Sequence, residues 1–301
     1  MTTDTTTTTT TTTTITTTTT TSTTTTTTTM TMTTTTTSIT TTTTTSTAST
    51  TTTTTPICIN PLTIPACATW NQTGITVAGH QGGATGSNLA SLNYPIDIFI
   101  DANDTLFIAD GNNNRIVKYY FNETTGVLVA GNIVAGSSAV LLDQPKGIAV
   151  DDMGNVFVGD TANYRIQKFS PNSTAATTIA INSMTSRLGL TRDLHIDCFN
   201  NIYVTDSDYN RVAKYNPTNG NRVIVAGNNG AGGAANQFSA PYGSFIDANQ
   251  TLYVADYGNE RVQMWASGAT SGVTVAGITG TAGASMKRLN GPIALMVDTN
   301  G

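Results

Sequence analysis

Short apolar runs alternate with polar turns through most of the chain, and their order repeats. Each repeat begins with an apolar run that ends in aspartate, and these closing aspartates are Asp101, Asp151, Asp197, Asp247 and Asp298. They are spaced 50, 46, 50 and 51 residues apart. Short runs that are rich in Val, Ile, Phe and Tyr and bounded by Gly, Asn, Asp or Pro predict β-strands. A repeat of this length indicates a solenoid, a propeller or a similar array.

Four apolar runs fall in each complete repeat, which predicts a meander of four short antiparallel strands. One such sheet is marginally stable in water, so it must pack both faces on neighbouring sheets, and radial packing gives an all-β fold, the β-propeller. The predicted repeats cover residues 92–131, 142–181, 188–227 and 238–277, with a partial repeat at 289–301. The propeller is therefore assigned to residues 70–301, after a threonine-rich tract at 1–55 and a linker at 56–69.

A second aspartate and an arginine flank the turn between the second and third strands of every complete repeat. The residues of these turns are Asp110, Asn113, Arg115, Asp160, Asn163, Arg165, Asp206, Arg211, Asp256, Asn259 and Arg261. Aspartate accepts hydrogen bonds from turn N–H groups, asparagine tolerates left-handed backbone, and arginine can reach the carboxylate or the next sheet. We expect an exposed pair that contributes about 0.2–1 kcal/mol. Its role is predicted to be structural, because a catalytic set is not copied into every repeat.

The segment "QPKGIAVDDMGNVFVGDTANYRIQKFS" at 144–170 resembles an NHL repeat, the unit of NHL-type β-propellers. The matching residues are Pro145, Gly147, Asp151, Gly154, Asp160, Asn163 and Arg165. The third copy departs from this pattern at Thr191, Asp193 and Tyr209. The resemblance implies a propeller that closes with six blades. A lone fourth strand at 75–79 and a lone first strand at 291–298 then predict a C-terminal truncation of about 75 residues.

The first 55 residues are almost all threonine and carry too little apolar surface to offset chain entropy, so a disordered tract is predicted. This composition is typical of an O-glycosylated spacer, and a repeat expansion without function is the alternative. The formal net charge is −5 and the 13 basic residues are scattered, unlike those of a nucleic-acid-binding surface. No run of 18 apolar residues occurs, so no membrane span is predicted.

Cysteines and glycosylation sequons indicate the cellular compartment in which the protein works. Cys58 and Cys67 are close enough in sequence to close a short disulfide loop, which leaves Cys198 as a buried or free thiol. Asn71, Asn103, Asn122, Asn172 and Asn249 each begin an N-x-Thr sequon. Exposed turns can carry N-glycans, and chance occurrence is the alternative in a chain rich in Asn and Thr. Together with the threonine tract these sites favour an extracellular or cell-surface protein, although the recorded start shows no secretory signal.

First strands line the centre of a propeller, so their polar residues are candidates for a ligand site. Asp97 and Asp193 share one repeat position, and Lys146 and Arg192 share the position before it. Their positions predict a polar channel mouth formed by these four residues. Such a mouth could bind a cation or a small anion, and the alternative is that its polar groups are simply solvated. Oxygen ligands suit calcium, but no cofactor or metal is predicted as a requirement.

The residues with catalytic potential do not form a recognisable set in the sequence. Some NHL-type propellers resemble the amidating lyase, whose channel metal is held by histidines, whereas His80 and His195 here are far apart and His195 is expected to pack in a first strand. The sequence therefore favours a non-catalytic propeller whose loops bind a protein or a glycan. The alternatives are an enzyme of lyase or lactonase type with a channel metal, and an intracellular adaptor like the NHL-containing ubiquitin ligases.

Overall fold

The computed structural model of the chain describes the backbone of residues 9–21 and 24–36, and residues 73–181 and 188–298 in full. The chain divides into two compact units, residues 1–54 and residues 55–301. The predictions for the linker at 56–69, for Cys58 and Cys67 and for the sequon at Asn71 fall outside the described residues.

The threonine-rich unit contains an antiparallel hairpin in which β1 (Thr9–Thr21) pairs with β2 (Thr24–Thr36). The sequence analysis predicted a disordered tract here, whereas these residues form regular strands. The β-branched side chain of threonine favours this extended conformation. Two strands alone are marginally stable in water. That this tract lacks a packed core of its own and acts as a spacer stays a prediction.

The second unit contains four sheets, each of four antiparallel strands in sequence order, as the repeats predict. The strands of the first sheet are β3 (Pro95–Ile100), β4 (Leu106–Asp110), β5 (Arg115–Tyr119) and β6 (Val127–Gly131). Those of the second are β7 (Pro145–Val150), β8 (Val156–Asp160), β9 (Arg165–Phe169) and β10 (Thr177–Ile181). Those of the third are β11 (Thr191–Ile196), β12 (Ile202–Asp206), β13 (Arg211–Tyr215) and β14 (Arg222–Gly227). Those of the fourth are β15 (Ser244–Ile246), β16 (Leu252–Asp256), β17 (Arg261–Trp265) and β18 (Val273–Gly277).

The sheets follow one another around an axis, and their first strands lie innermost. Strand β3 contacts β7, β7 contacts β11, and β11 contacts β15. Among the described residues, three clusters of buried apolar residues lie between successive sheets, and a fourth lies on the first sheet. One cluster joins Ile116 of the first sheet to Val158 of the second, and the next joins Phe157 of the second sheet to Leu194 of the third. This radial packing is the β-propeller arrangement, so the predicted fold is confirmed.

Two segments occupy strand positions without forming a ladder. Residues 291–298, the predicted lone first strand, form no strand, although the backbone of Ile293 and Ala294 runs close beside Gly243. Residues 75–79, the predicted lone fourth strand, form none either, and Gly79 has a φ of 78°, similar to the glycines that end β6 and β18. Neither segment is a strand in the described part of the chain.

The strand order places every loop at one of two ends of the sheets. Because neighbouring strands are antiparallel, the turns from first to second strand and from third to fourth strand lie at the same end. This end, the turn face, comprises residues 101–105, 120–126, 151–155, 170–176, 197–201, 216–221, 247–251 and 266–272. The turns from second to third strand and the loops between sheets lie at the opposite end. This end, the loop face, comprises residues 79–94, 111–114, 132–144, 161–164, 188–190, 207–210, 228–243, 257–260 and 278–291.

Candidate functional site

Each Asp–Arg pair of the repeats is a buried ion pair. Nε of Arg115 lies 2.8 Å from Oδ2 of Asp110, and these side chains are 4% and 0% exposed. The other three repeats have the same pair at 2.6–2.9 Å, between Arg165 and Asp160, Arg211 and Asp206, and Arg261 and Asp256. The expectation of an exposed pair is therefore wrong. The sequence indicates the turn correctly but does not show the loop that covers it.

The covering loop is the one that precedes the sheet, and the arginine binds it directly. The guanidinium of Arg165 donates to the carbonyl oxygens of Ser137, Ser138 and Leu141 at 2.6, 2.9 and 2.9 Å. The corresponding arginines of the first and fourth sheets make the same three contacts with their own preceding loops. Five N–H donors in one plane allow an arginine to bind a carboxylate and several carbonyls together. One buried side chain thus fixes a whole loop of the loop face.

The asparagine of the motif acts through its side chain rather than its backbone. Nδ2 of Asn163 donates to the carbonyl of Gly136 and to Oδ2 of Asp160, both at 2.9 Å. The first and fourth repeats have the same two bonds. The left-handed residue is the following one, such as Tyr164 with a φ of 51°. The sequence analysis expected left-handed backbone at the asparagine. A single 3-10 turn follows the aspartate and includes the asparagine, so the left-handed residue is the next one.

The aspartate of the pair accepts several donors at once. Oδ1 of Asp160 accepts the backbone N–H of Asp143 at 2.7 Å, and its Oδ2 accepts Arg165 and Asn163. Burial raises the pKa of Asp160, and these hydrogen bonds oppose the rise. The carboxylate therefore joins the turn, the arginine and the preceding loop at one point.

The third repeat keeps the ion pair but surrounds it differently. Oδ2 of Asp206 accepts Nη2 of Arg211 at 2.9 Å, and Nη1 of the same arginine lies 3.4 Å from Oδ1 of Asn228. The ring of Tyr209, which stands where the other repeats have asparagine, lies 4.5 Å from the guanidinium carbon. In this repeat a cation–π contact occupies the place of the amide hydrogen bonds.

The predicted channel residues Asp97 and Asp193 lie on the inner strands, and each one bridges to the following sheet. Oδ2 of Asp97 accepts the backbone N–H of Ile148 at 2.9 Å, and Oδ2 of Asp193 accepts that of Ser244 at 2.6 Å. Burial raises the pKa of Asp97 to about 8, and the neighbouring charge of Asp193 adds to the rise. Both carboxyl groups therefore fasten successive inner strands together.

The predicted basic residues of the channel also lie near each other. Burial lowers the pKa of Lys146, and the positive charge of Arg192 lowers it further. Nε of Arg192 donates to Oγ of Ser207 at 3.0 Å, and its guanidinium lies 4.6 Å from the ring centre of Tyr242. That these four residues bind a cation or an anion stays a prediction.

An open cavity of about 1090 Å³ lies at the turn-face end of the inner strands. Its wall includes Phe99, His195, Phe245 and Met296, which share one repeat position, two residues before the closing aspartate. The rings of His195 and Phe245 meet edge to face, with 5.4 Å between their centres. His195 therefore packs on an inner strand, as the alignment of the repeats predicts. An aromatic wall with a rim of turns suits contact with an apolar group.

The described part of the chain contains neither a cluster of metal ligands nor a long apolar helix. Within residues 73–181 and 188–298, no three His, Cys, Asp or Glu side chains come together as metal ligands. His80 is exposed on the loop face, where its Nδ1 accepts the N–H of Gly82 at 3.1 Å. No helix in these same ranges is both long enough and apolar enough to span a bilayer.

Cys198 lies on the turn face, in the first turn of the third sheet, and it is disulfide-bonded. The expectation that Cys198 is a buried or free thiol is therefore wrong, whereas the predicted pairing of Cys58 with Cys67 lies outside the described residues. Nearness in sequence does not decide which cysteines meet in the fold, because a disulfide needs Cα atoms within about 7 Å. Disulfides persist in oxidising compartments, which bears on where the protein works.

The inner strands, radial sheets and repeated Asp–Arg turn define this protein as a β-propeller. Comparison with family models finds an NHL repeat at residues 142–169, which covers the second sheet up to the end of β9. The resemblance seen in the sequence at 144–170 is thereby confirmed, and the second sheet of the propeller matches an NHL repeat. No curated protein matches the sequence.

Solved structures that are similar to the chain include two auxiliary nutrient-binding proteins. The one from Bacteroides thetaiotaomicron is 13% identical with a TM-score of 0.54, and the match covers 70% of this chain and 55% of that one. The one from Bacteroides ovatus is 14% identical with a TM-score of 0.52, over 68% and 54% of the two chains. Virginiamycin B lyase from Staphylococcus aureus is 11% identical with a TM-score of 0.47, over 62% and 56%. The chain spans little more than half of each, and the similarity is one of fold.

Proposed function

We propose that this chain is a non-catalytic extracellular propeller that binds a protein partner through its loop face. The observation that carries the proposal is the buried arginine that holds the preceding loop by three carbonyls in the first, second and fourth repeats. A loop that is ordered before binding loses less conformational entropy when a partner docks. The repeated Asp–Arg motif thus supports a prearranged recognition surface.

Apolar side chains project from these fixed loops. On the loop at 132–144, which Arg165 binds, Ile133, Val134 and Val140 are 52%, 59% and 45% exposed. Tyr164, next to Arg165 in sequence, is 38% exposed. Aliphatic and aromatic side chains on a rigid backbone are typical anchors at the centre of protein–protein interfaces. The loop at 132–144 is therefore the part of the loop face that we assign to partner contact.

Two features support the extracellular part of the proposal. Cys198 is disulfide-bonded, and disulfides are rare in reducing compartments. Exposed turns of the first, second and fourth sheets carry N-x-Thr sequons. Both features are expected of a chain that folds in the secretory pathway.

The experiment screens tetramers of the full chain against an array of secreted and cell-surface ectodomains, with a glycan array in parallel. We expect a protein ligand whose Kd rises at least about tenfold, or about 1.4 kcal/mol, on Ile133→Asp or Val134→Asp. The matched control is Phe199→Asp on the turn face, where Phe199 is 57% exposed, and it should leave Kd unchanged. Binding to glycans alone, or protein binding that depends on Phe199 and not on the loop, contradicts the proposal.

A further inference from the structure

The sequons in the described part of the propeller all lie on one of its two faces. Asn103 and Asn249 occupy the first turn of the first and fourth sheets, and Asn122 and Asn172 occupy the last turn of the first and second sheets. All four residues are exposed. Both kinds of turn belong to the turn face. The loop face has many asparagines, but none in its described residues begins a sequon.

The first turn shows why sequon asparagines differ from structural ones. In the second sheet, Nδ2 of Asn155 donates to Asp151 at 2.8 Å, so this asparagine holds the turn. In the first sheet the same position is Thr105, the third residue of the sequon that begins at Asn103. Asn103 bonds to Asp101 through its backbone N–H at 2.9 Å, and that bond does not involve Nδ2. Its side-chain amide therefore stands outside the hydrogen bonds that hold the turn.

In the last turn, the backbone conformation explains the asparagine of the sequon but not its threonine. Asn122 and Asn172 have φ values of 63° and 61°, and Gly268 has 75° in the equivalent turn of the fourth sheet. Left-handed backbone accounts for Asn or Gly at this position. It does not account for Thr124 or Thr174 two residues later, both of which are exposed. The threonine therefore completes a sequon at a position where the turn conformation does not require it.

We propose that Asn103, Asn122, Asn172 and Asn249 carry N-linked oligosaccharides that cover the turn face and leave the loop face free. The proposal rests on the extracellular part of the proposed function. An oligosaccharyltransferase supplies the sugar from a polyprenyl-diphosphate carrier. The bond between sugar C1 and the diphosphate oxygen breaks, a bond from C1 to Nδ2 forms, the amide loses one proton, and the polyprenyl diphosphate leaves. Each acceptor reads N-x-Thr, as the transfer requires.

Glycans at these positions also restrict access to the cavity. Asn103 and Asn172 both line it, together with Met153, which is 76% exposed. An oligosaccharide on either asparagine therefore stands at the mouth of the cavity and over Met153. On the opposite face, Met286 of the loop at 278–291 is fully exposed and no sequon of the described residues lies near it in sequence. The two methionines form a matched pair of probes for the two faces.

The first test maps the full chain isolated from its native source by mass spectrometry, with and without enzymatic removal of N-glycans. We expect glycosylated peptides at all four asparagines and a disulfide at Cys198. Unmodified asparagines with Cys198 in a disulfide overturn the glycan proposal and leave the extracellular function standing. Unmodified asparagines with Cys198 as a free thiol overturn both.

The second test compares hydroxyl-radical oxidation of the glycosylated and the deglycosylated protein. We expect Met153 to oxidise severalfold faster after glycan removal, while the rate at Met286 stays the same. Equal rates at Met153 in the two samples overturn the shielding of the turn face. Thr174→Ala in a secreting host should remove the glycan at Asn172, and the matched Thr174→Ser should keep it, without change to the asparagine that the turn needs. Loss of the glycan in both variants, or in neither, contradicts the assignment of this site.

Discussion

Nε of Arg115 donates to Oδ2 of Asp110 at 2.8 Å across the turn that joins two strands of one sheet, and both side chains are buried. The same guanidinium reaches the carbonyl oxygens of Ser87, Asn88 and Ser91, which precede the sheet. One residue therefore links a local turn to a segment 24–28 residues earlier in the chain. This relationship explains why aspartate and arginine recur together in every complete repeat.

Loss of the arginine should destabilise the propeller strongly. Arg165→Met removes the partner of a fully buried carboxylate and leaves three loop carbonyls without their donor. Breaking a buried ion pair from one side costs about 3–5 kcal/mol, so the free energy of unfolding in urea should fall by that order. Arg288→Met, which truncates an exposed arginine, should change it little.

A second substitution distinguishes the effect of the unpaired Asp160 charge on stability from the effect of the lost hydrogen bonds to the loop carbonyls. Adding Asp160→Asn to Arg165→Met removes the unpaired charge, so part of the lost stability should return. If the double variant is no more stable than the single one, the loop carbonyls and not the ion pair dominate the effect. If Arg165→Met is as stable as the wild type, the buried arginine does not hold the turn and its preceding loop together.

The inner strands approach each other so closely at Gly147 that a larger residue there should destabilise the fold. A Cβ at Gly147 would lie 2.8 Å from the backbone nitrogen of Leu194 and 2.9 Å from the carbonyl carbon of Asp193. Gly147→Ala therefore forces β7 and β11 apart, and urea unfolding should show a loss of about 1–3 kcal/mol. Gly74→Ala is the control, because its Cβ would meet no atom within 4 Å. Equal stability of the two variants would show that the inner strands adjust freely.

The architecture could be predicted from the sequence because it depends on local and repeated signals. The spacing of the closing aspartates and the short apolar runs indicated the strands to within a few residues, for example β8 at Val156–Asp160. Contacts between repeats could not be predicted in this way. The loop that buries Arg165 and the bridge from Asp97 to Ile148 both join residues far apart in sequence. A repeat shows which residue types recur, whereas burial is decided by the neighbouring sheet.

Ionisation of Asp97 makes stability depend on pH. Its pKa is about 8 in the folded protein against an ordinary value of 3.8, because burial and the nearby Asp193 disfavour the charge. Between these two values the folded protein retains a proton that the unfolded chain releases. The free energy of unfolding should therefore fall as pH rises from 3.8 to about 8, and level off above that.

Asp97→Asn tests this sign directly, because asparagine cannot ionise. Its single side-chain oxygen can accept only one of the two N–H groups, of Ile98 and Ile148, that the carboxyl accepts, and this loss is the same at every pH. Urea unfolding over a pH series should show a flatter profile than wild type, with the greatest gain of the variant at the alkaline end. The control is Asp152→Asn on the turn face, where the aspartate is exposed, and its profile should run parallel to that of wild type. A variant profile as steep as that of wild type through this range would contradict the assignment to Asp97.

Cys198 of the third sheet is disulfide-bonded, and the two other cysteines of the chain, Cys58 and Cys67, precede the propeller in sequence. A disulfide restricts the unfolded chain, so Cys198→Ser should lower the free energy of unfolding by about 2–4 kcal/mol in non-reducing buffer. In reducing buffer the variant and the wild type should have the same stability. Of Cys58→Ser and Cys67→Ser, one should reproduce the loss and the other should not, which identifies the partner. Equal and small effects of both would mean that the bond does not stabilise the fold.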